Sequence, residues 1–374
     1  MLKIGVTGQN GFVGRHMYNS LGLHPDEFTR IDFERNFFDD PELLDNFVLQ
    51  CDVIIHLAGL NRHSDVDILY KTNIALTKNL VDSLQRTKSM AHVLFSSSTQ
   101  EEKDTQYGQS KKLSRALFDD WASKCEGRFA GLIIPNVFGP FGSPFYNSVI
   151  ATFCHQLTHG ETPTINIDGG LELIYIDELV HIFLECIRKK TSNSNYKVLP
   201  TFCIKVSDAL YLLQKFRDTY FENGTIPDLN SRFELNLFNT YRSFIDLSER
   251  YPVQFKQYSD NRGSFAEMIR VGNGVHGQTS FSTTLPGITR GNHFHTRKVE
   301  RFAVIKGTAL IQLRRIGCEQ VFSFYLSGDV PSYVDIPIWY AHNIKNIGDE
   351  ELYTIFWISE FFDSADSDTY FEEV

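Results

Sequence analysis

The chain has 374 residues, of which 42% are hydrophobic and 22% are charged, a balance typical of globular proteins, and its length favours two domains over one. A formal net charge of −10 argues against nonspecific binding of nucleic acid. The N-terminus has no charged leader before an apolar stretch, and no apolar run approaches the roughly 20 residues that span a bilayer, so a cytoplasmic protein is expected.

The predicted elements of the N-terminal half alternate between strands and helices. Strands are predicted at residues 2–7, 53–55, 93–95 and 132–134, and each is apolar throughout. Between them, helical spacing is shown by Leu76, Leu80 and Leu84, and then by Leu113, Ala116, Leu117 and Trp121 on one face of a later helix. Apolar strands that alternate with amphipathic helices indicate a parallel sheet covered on both faces. The prediction is a doubly wound α/β domain of the Rossmann type.

The C-terminal third has a different pattern. From about residue 250 the helical spacing ends, and short β-rich runs follow at 278–284, 302–305, 308–313, 321–326, 332–336 and 352–358. Gly, Pro, Asn and Asp separate these runs, which is typical of an antiparallel sandwich or barrel. The predicted domains are therefore residues 1–248 and residues 249–374.

A glycine-rich turn follows the first predicted strand and opens a helix. Gly8 permits the tight turn, Gly11 lets a pyrophosphate approach the backbone, and Gly14 lets the helix pack closely on the strand. The helix N-terminus then presents free N–H groups to a phosphate. This arrangement predicts a dinucleotide site.

The end of the second predicted strand bears on the choice of dinucleotide. Asp32 there would bond the ribose 2′-hydroxyl and favour NAD, whereas Arg30 or Arg35 would favour NADP. The register in this region does not decide between them, and at least one of the three belongs to a solvated loop.

A serine run at the end of a central strand precedes a tyrosine and a lysine that are four residues apart. Ser96, Ser97 and Ser98 form the run, and Tyr107 and Lys111 share one face of the next helix. The lysine ammonium is expected to stabilise the tyrosinate, which makes a phenol with an ordinary pKa near 10 usable near neutrality. A serine hydroxyl completes the hydrogen bonds to a reacting carbonyl oxygen.

With these residues the N-terminal half resembles the extended short-chain dehydrogenase/reductase family of nucleotide-sugar enzymes. Further positions that match the family are residues 56–59, Asn73 and residues 136–140. Ile133, by contrast, occupies a position where many members have an arginine. The resemblance implies that the third serine, Ser98, is catalytic with Tyr107 and Lys111. It also implies cofactor contacts at Gly8, Asn10, Gly11, Phe12, Val13, Gly14, Arg30, Asp32, Leu57, Ala58, Tyr107 and Lys111.

The C-terminal third resembles the cupin family. His293, His295 and Glu300, followed by Gly307, match the first cupin motif, and Gly328, Pro337, His342 and Asn346 match the second. Two histidines two apart on a strand point to the same side of a sheet. Together with Glu300 and His342 they form a set of three nitrogens and one carboxylate, which suits Zn, Fe, Mn or Ni. We expect a metal ligated by His293, His295, Glu300 and His342, with zinc as the first choice.

The order of the two domains resembles the bifunctional capsular polysaccharide enzymes that make UDP-2-acetamido-2,6-dideoxy-β-L-talose on the route to UDP-N-acetyl-L-fucosamine. Further matching stretches are residues 147–153, 260–265, 286–289 and 368–371. The resemblance implies C3 epimerisation of a UDP-4-keto-6-deoxy sugar in the cupin domain, reduction of the C4 ketone with NADPH in the reductase domain, and a homodimer. For the epimerisation base the sequence leaves Asp335, Tyr340 and Lys298 open.

Three other functions are compatible with the same pattern. A reductase could carry a cupin that serves only for dimerisation, although four ligand-type residues are in place. A nonenzymatic sugar-nucleotide sensor would usually lack Tyr107 or Lys111. An epimerase or dehydratase with tightly bound, recycling NAD remains open because of Asp32.

Overall fold

A computed structural model describes residues 1–261, 263–272 and 277–374, and these residues form two compact units. One unit comprises Met1–Thr152 and Ile167–Val206, and the other comprises Phe153–Asn166 and Ser207–Val374. Residues 207–248 thus pack with the C-terminal unit, whereas the alternation of helices and strands predicts that they belong to the N-terminal domain. Local alternation does not determine which core a helix joins. The two compact units do not test where the reductase domain ends and the cupin domain begins, so the boundary between residues 248 and 249 stays a prediction.

The N-terminal unit is built on a parallel sheet. Its strands are β1 (Leu2–Thr7), β2 (Phe28–Ile31), β3 (Val53–His56), β4 (His92–Ser98), β5 (Phe129–Ile134), β6 (Asn136–Phe138), β7 (Gly170–Tyr175), β8 (Asn193–Lys197) and β9 (Phe202–Lys205). Its helices are α1 (Phe12–Gly22), α2 (Pro41–Gln50), α3 (Val66–Arg86), α4 (Gln106–Cys125) and α6 (Ile176–Arg188), and α5 (Val149–Thr158) contains the point of division.

Six strands form one sheet in the order β2-β1-β3-β4-β5-β8, with parallel pairing throughout. The strands β6, β7 and β9 form a smaller sheet. The helices α2, α3 and α4 pack side by side, and α1 packs with α6. The Rossmann-type prediction is confirmed, and the carboxyl ends of β1, β3 and β4 meet at one edge, where such folds bind ligands.

The predicted apolar face of α4 is right at Trp121, which is buried, and at Leu117, which is half-buried, but wrong at Leu113 and Ala116. Leu113 is 39% exposed and Ala116 is exposed, whereas Ser110, Ser114 and Phe118 are buried. The Ser114 hydroxyl accepts a 2.8 Å hydrogen bond from Thr77 on α3, and Ser110 accepts one from Asn73. Small polar residues that hydrogen-bond between α3 and α4 let the two helices approach closely. Because these residues are not apolar, hydrophobic periodicity in the sequence does not reveal this face.

The C-terminal unit is a double antiparallel sheet with helices. Its helices are α7 (Val206–Phe216), α8 (Arg232–Arg242) and α9 (Leu247–Arg250). Its strands are β10 (Val253–Gln254), β11 (Gln257–Asp260), β12 (Gly263–Ala266), β13 (Gln278–Thr284), β14 (Thr289–Phe294), β15 (Glu300–Lys306), β16 (Thr308–Arg315), β17 (Val321–Ser327), β18 (Ser332–Ile336), β19 (Tyr340–Asn346), β20 (Leu352–Ile358) and β21 (Tyr370–Phe371). Arg262, within a stretch used for the resemblance, lies outside the described residues.

The two five-stranded sheets have the orders β10-β18-β15-β20-β13 and β17-β16-β19-β14-β21, and β11 pairs with β12 as a hairpin. Buried side chains from both sheets, among them Val304, Ile311 and Val334, form one apolar cluster. The predicted all-β cupin fold is confirmed, and the six predicted runs coincide with β13, β15, β16, β17, β18 and β20. Within the described part of the chain, no helix combines the length and apolar character needed to cross a membrane.

Candidate active site and metal centre

The glycine turn after β1 has the geometry that a dinucleotide phosphate requires. Gly8 has φ +77°, a conformation that disfavours other residues. A Cβ on Gly14 would lie 2.1 Å from the Gly8 carbonyl oxygen, so only glycine lets α1 begin this close to the turn. The helix N-terminus therefore lies directly behind the turn with its first N–H groups unpaired within the helix, which suits an anion.

A cleft of about 690 Å³ opens beside this turn, a volume typical of small-molecule sites. Its lining combines the glycine turn, the end of β4 and the start of α4. Of the predicted site residues it includes Gly8, Gly11, Phe12, Val13, Gly14, Leu57, Ser98, Tyr107 and Lys111.

Ser98, Tyr107 and Lys111 meet in this cleft. Ser98 ends β4 and hydrogen-bonds the phenol of Tyr107, which lies in the first turn of α4. Lys111, one turn later, is 5% exposed and donates a 2.9 Å hydrogen bond from Nζ to the Ser96 carbonyl oxygen. The cleft therefore places a hydroxyl, a phenol and an ammonium along one wall.

The acid–base properties of this wall differ from our expectation. Burial raises the pKa of Tyr107 to about 12, against a smaller lowering by the hydrogen bond from Ser98. Burial also lowers the pKa of Lys111 to about 8, against a smaller raising by Glu101. We expected the lysine to lower the pKa of the tyrosine, but desolvation dominates for both groups. The phenol is protonated near neutrality, which is the state that a proton donor needs.

Ser97 points to a different group of residues. Its hydroxyl donates to the Glu101 carboxylate, which also forms a 2.7 Å ion pair with Arg115. Arg115 in turn donates to the Ser194 carbonyl oxygen at 2.9 Å. Ser97 thus belongs to a contact that ties α4 to β4 and β8, and Ser98 is the serine that contacts the phenol.

Four predicted cofactor residues are not among the residues that line the cleft: Asn10, Arg30, Asp32 and Ala58. Ala58 lies behind the turn, since a Cβ on Gly8 would approach its nitrogen to 2.8 Å. The Asp32 carboxylate accepts a 2.7 Å hydrogen bond from the hydroxyl of Tyr18 on α1. The Arg30 guanidinium lies 4.5 Å from the Tyr18 ring centre. Tyr18 therefore holds both charged candidates against α1.

The cleft also contains residues that the sequence did not single out as site residues. The Tyr146 hydroxyl accepts hydrogen bonds of 3.2 Å from the backbone N–H groups of Asn61 and Arg62. Asn147 donates to the Asn61 carbonyl oxygen at 3.0 Å. These contacts join the loop after β3 to the loop before α5 at the edge of the cleft. The only signal in the sequence was that residues 147–153 matched the resembled enzymes.

The four predicted metal ligands converge in the C-terminal unit. His293 on β14 is the cross-strand partner of His342 on β19, His295 follows β14, and Glu300 begins β15 in the other sheet. One ligand atom from each lies within 4.8 Å of the others, and His295, Glu300 and His342 are buried. The cluster lies between the two sheets, and His293, the fourth ligand, is half-buried.

The hydrogen bonds of the histidines direct free nitrogen atoms into this cluster. Nδ1 of His295 lies 2.5 Å from the Asp368 carbonyl oxygen, and Nδ1 of His342 lies 3.1 Å from that of Tyr340. Since a carbonyl accepts, each Nδ1 carries the proton in a neutral ring and each Nε2 presents a lone pair. Nε2 of His295 and of His342 lie 3.3 and 3.0 Å from Oε2 of Glu300.

The buried atoms Nε2 of His295, Nε2 of His342 and Oε2 of Glu300 have no hydrogen-bond partner among the described residues, although both nitrogens lie at ion-pair distance from the carboxylate oxygen. Burial raises the pKa of Glu300, and His295 and His342 lower it well below its usual range when their rings are protonated, that is, when no cation takes the place of the protons. A carboxylate and lone pairs aimed at one point fit a divalent cation.

The three candidate bases differ in their surroundings. Asp335 forms a 2.7 Å ion pair with Arg301, and both side chains are 2% exposed. Arg301 follows Glu300 on β15, so this pair lies on the opposite face of the sheet from the cluster. Nζ of Lys298 donates to the Ser367 carbonyl oxygen at 2.8 Å. Tyr340 precedes His342 by two on β19, so the two side chains leave the strand on the same face.

Comparison with protein families gives two matches that together cover most of the chain. Residues 4–199 match the NAD dependent epimerase/dehydratase family. Residues 258–370 match the polysaccharide biosynthesis C-terminal domain.

Similarity to two known proteins extends over nearly the whole chain. UDP-2-acetamido-2,6-beta-L-arabino-hexul-4-ose reductase from Pseudomonas aeruginosa is 33% identical, over 99% of this chain and 98% of that one. The crystal structure of the capsular polysaccharide assembling protein CapF from Staphylococcus aureus is 32% identical, covers 100% of both chains and has a TM-score of 0.61. The chain therefore belongs to the NAD dependent epimerase/dehydratase family and is an NAD(P)H-dependent oxidoreductase homologous to a UDP-sugar reductase.

Proposed function

We propose that this enzyme epimerises C3 of a UDP-4-keto-6-deoxy-HexNAc and then reduces the C4 ketone with NADPH, to give UDP-2-acetamido-2,6-dideoxy-β-L-talose. The epimerisation belongs to the cupin domain, residues 249–374, and the reduction to the reductase domain, residues 1–248. The observation that carries the proposal is that Ser98, Tyr107 and Lys111 meet in a cleft beside the glycine turn. The similarity in sequence to a 4-ulose reductase over 99% of the chain supports the substrate class.

For the reduction, the residues of the cleft bind, orient and donate a proton. Gly8, Gly11 and Gly14 leave room for the pyrophosphate of a nicotinamide dinucleotide, which supplies the hydride when bound. The Ser98 hydroxyl orients the C4 carbonyl oxygen, and the Tyr107 phenol gives it a proton. The Lys111 ammonium stabilises the phenolate that remains.

For the choice of cofactor, the position of Asp32 supports NADPH. A carboxylate at the end of β2 selects NAD by bonding the ribose 2′-hydroxyl and repelling a 2′-phosphate. Here the Asp32 carboxylate accepts from Tyr18 and is held against α1. Arg35, three residues further along the chain, is exposed and is the remaining candidate for contact with a 2′-phosphate.

For the epimerisation, the C3 proton is acidic because C3 is α to the C4 ketone. His293, His295, Glu300 and His342 would hold a divalent cation, with zinc as the first choice, and such a cation supplies Lewis acidity. Tyr340 shares a strand face with His342 and is our choice among the three candidate bases. Asp335 is unsuited because Arg301 pairs with its carboxylate.

The experiment that tests the reduction uses the full-length protein with UDP-4-keto-6-deoxy-HexNAc and NADPH. We expect equimolar oxidation of NADPH and, by NMR, a talo-configured product. A protein that consumes no NADPH, and instead carries bound NAD through purification, would favour the alternative of a recycling epimerase or dehydratase with a structural dimerisation cupin. The homodimer itself is tested by light scattering of the same preparation.

A further inference from the structure

The segment after the last long strand, which we call the C-terminal strap (residues 360–373), packs along the strand that bears His293. Within β21, Phe371 pairs with His293 and Tyr370 pairs with Phe294 on β14. The Glu372 N–H donates to the Asn292 carbonyl oxygen at 3.0 Å. Its strand β21 is thus the edge strand beside the first predicted metal ligand, although about 80 residues of sequence separate Phe371 from His293.

One residue of the strap, Asp368, is 4% exposed and has its carboxylate fully engaged. It accepts hydrogen bonds from the backbone N–H groups of Thr296, Arg297 and Lys298, at 3.1, 3.0 and 3.1 Å. The Thr296 hydroxyl adds a fourth at 2.6 Å. Three successive N–H groups around one carboxylate form a concave anion site that the chain fills with its own side chain. These three residues lie between His295 and Glu300, so Asp368 fixes the loop between two ligands.

The backbone of Asp368 contacts a ligand directly. Its carbonyl oxygen lies 2.5 Å from Nδ1 of His295, the contact that leaves Nε2 facing the cluster. Asp368 has φ 42°, a left-handed conformation in which aspartate and asparagine are the favoured side chains after glycine. The side-chain contacts with the loop hold the carbonyl in this position.

The surrounding contacts hold the strap down. The Arg297 guanidinium bridges Asp366 at 2.8 Å and Glu360 at 3.1 Å, on either side of the turn. Lys298 donates to the Ser367 carbonyl oxygen at 2.8 Å. A segment needed only to cover apolar surface would not require a buried carboxylate with four donors aimed at it.

We propose that Asp368 is a positioning residue of the metal site, which sets the ring orientation and tautomer of His295 and the loop that leads to Glu300. This inference rests on the proposed metal site. Partners that orient a ligating histidine typically change metal affinity by about 10–100-fold when they are removed.

The test measures zinc affinity of the full-length protein rather than its activity. Wild type, Asp368→Asn and a control, Asp363→Asn, are stripped with a chelator and titrated with Zn²⁺ against a chromophoric competitor. Asparagine tolerates the left-handed backbone, so the change removes the carboxylate without adding backbone strain. Asp363 is exposed, and its carboxylate accepts from Ala365 within the strap.

We expect Asp368→Asn to bind Zn²⁺ about 10–100-fold more weakly, and Asp363→Asn to bind it like the wild type. A purely structural role would lower the thermal midpoint of the metal-free protein and leave the zinc Kd unchanged, and that result would overturn the proposal. If the wild type itself takes up no zinc, the metal site is wrong and this inference with it, whereas the reductase proposal is unaffected.

If Asp368→Asn does not fold, Thr296→Val takes its place. This change removes the hydroxyl that donates at 2.6 Å and keeps the backbone donors. Losing a hydrogen bond to a charged acceptor should weaken zinc binding about threefold or more. A Kd equal to that of the wild type would overturn the proposal.

Discussion

Nζ of Lys111 lies 5.9 Å from the centre of the Tyr107 ring, and the same nitrogen donates to the Ser96 carbonyl oxygen at 2.9 Å. The lysine is thus anchored to the end of β4 while it remains beside the phenol. Burial raises the pKa of Tyr107 to about 12 and lowers that of Lys111 to about 8. A neutral phenol beside an ammonium is the state in which a ketone can be protonated.

The change Tyr107→Phe removes the proposed proton donor while it leaves the cleft lining nearly unchanged in shape. We expect reduction to fall by roughly a hundredfold or more, the scale of general acid catalysis, with the Kd for NADPH retained. Steady-state rates and cofactor titration measure the two effects. Tyr211→Phe is the control, since Tyr211 is 67% exposed. Wild-type reduction in Tyr107→Phe would refute the assignment.

The pH dependence of the reduction follows from Lys111. Its lowered pKa means that the ammonium loses its charge as the pH rises through about 8, while Tyr107 stays protonated to about 12. We therefore expect kcat/KM for reduction to be level near neutrality and to fall above about pH 8. The same profile is measured for binding of NADPH and for thermal stability as controls. Activity that rises steadily from pH 7 to 10 would contradict this account.

Cofactor preference depends on the contact between Tyr18 and Asp32. Because Tyr18 holds the carboxylate against α1, we expect the wild type to prefer NADPH over NADH by about tenfold or more in kcat/KM. Tyr18→Phe frees the carboxylate to reach the ribose, and the ratio should shift toward NADH. A wild-type preference for NADH would show that Asp32 governs the choice.

Asp335 serves stability rather than proton transfer in this structure. Its carboxylate pairs with Arg301 and accepts a 2.7 Å hydrogen bond from Tyr220, and both partners are buried. Asp335→Asn leaves the Arg301 guanidinium buried without its counter-ion, so the free energy of unfolding should fall by about 3 kcal/mol or more. Urea unfolding measures this, with the exposed Asp329→Asn as control. Loss of C3 exchange at unchanged stability would identify Asp335 as the base instead.

The sequence predicted both folds because most strands have apolar residues wherever they face a core. The strands β14 and β19 did not appear among the predicted runs, although they carry His293 and His342. On β19 the inward positions include His342 and Asn346, so the hydrophobic alternation fails where the barrel interior is polar. The ligands themselves were found by their motif, not by periodicity.

The positions of Asp32, Asp335 and Asp368 show what sequence spacing cannot supply. Asp32 directly follows β2, as a ribose-binding residue would, but its partner is Tyr18 on a helix 14 residues earlier. Asp335 lies close to the second cupin motif in sequence but on the far face of its strand. Asp368 is about 70 residues from His295 in sequence yet bonds to it. Each outcome depends on tertiary packing between distant segments.

The central claim is that two separate sites catalyse successive steps, and deuterium incorporation at C3 tests it most directly. UDP-4-keto-6-deoxy-HexNAc is incubated in heavy water with wild type, Tyr107→Phe and His293→Ala, and C3 labelling is read by NMR. We predict labelled product from the wild type with NADPH and labelled ketone without reduction from Tyr107→Phe. For His293→Ala we predict no label, with NADPH affinity intact and folding verified by thermal unfolding. A folded, metal-free His293→Ala protein that exchanges the C3 proton at the wild-type rate would contradict the account.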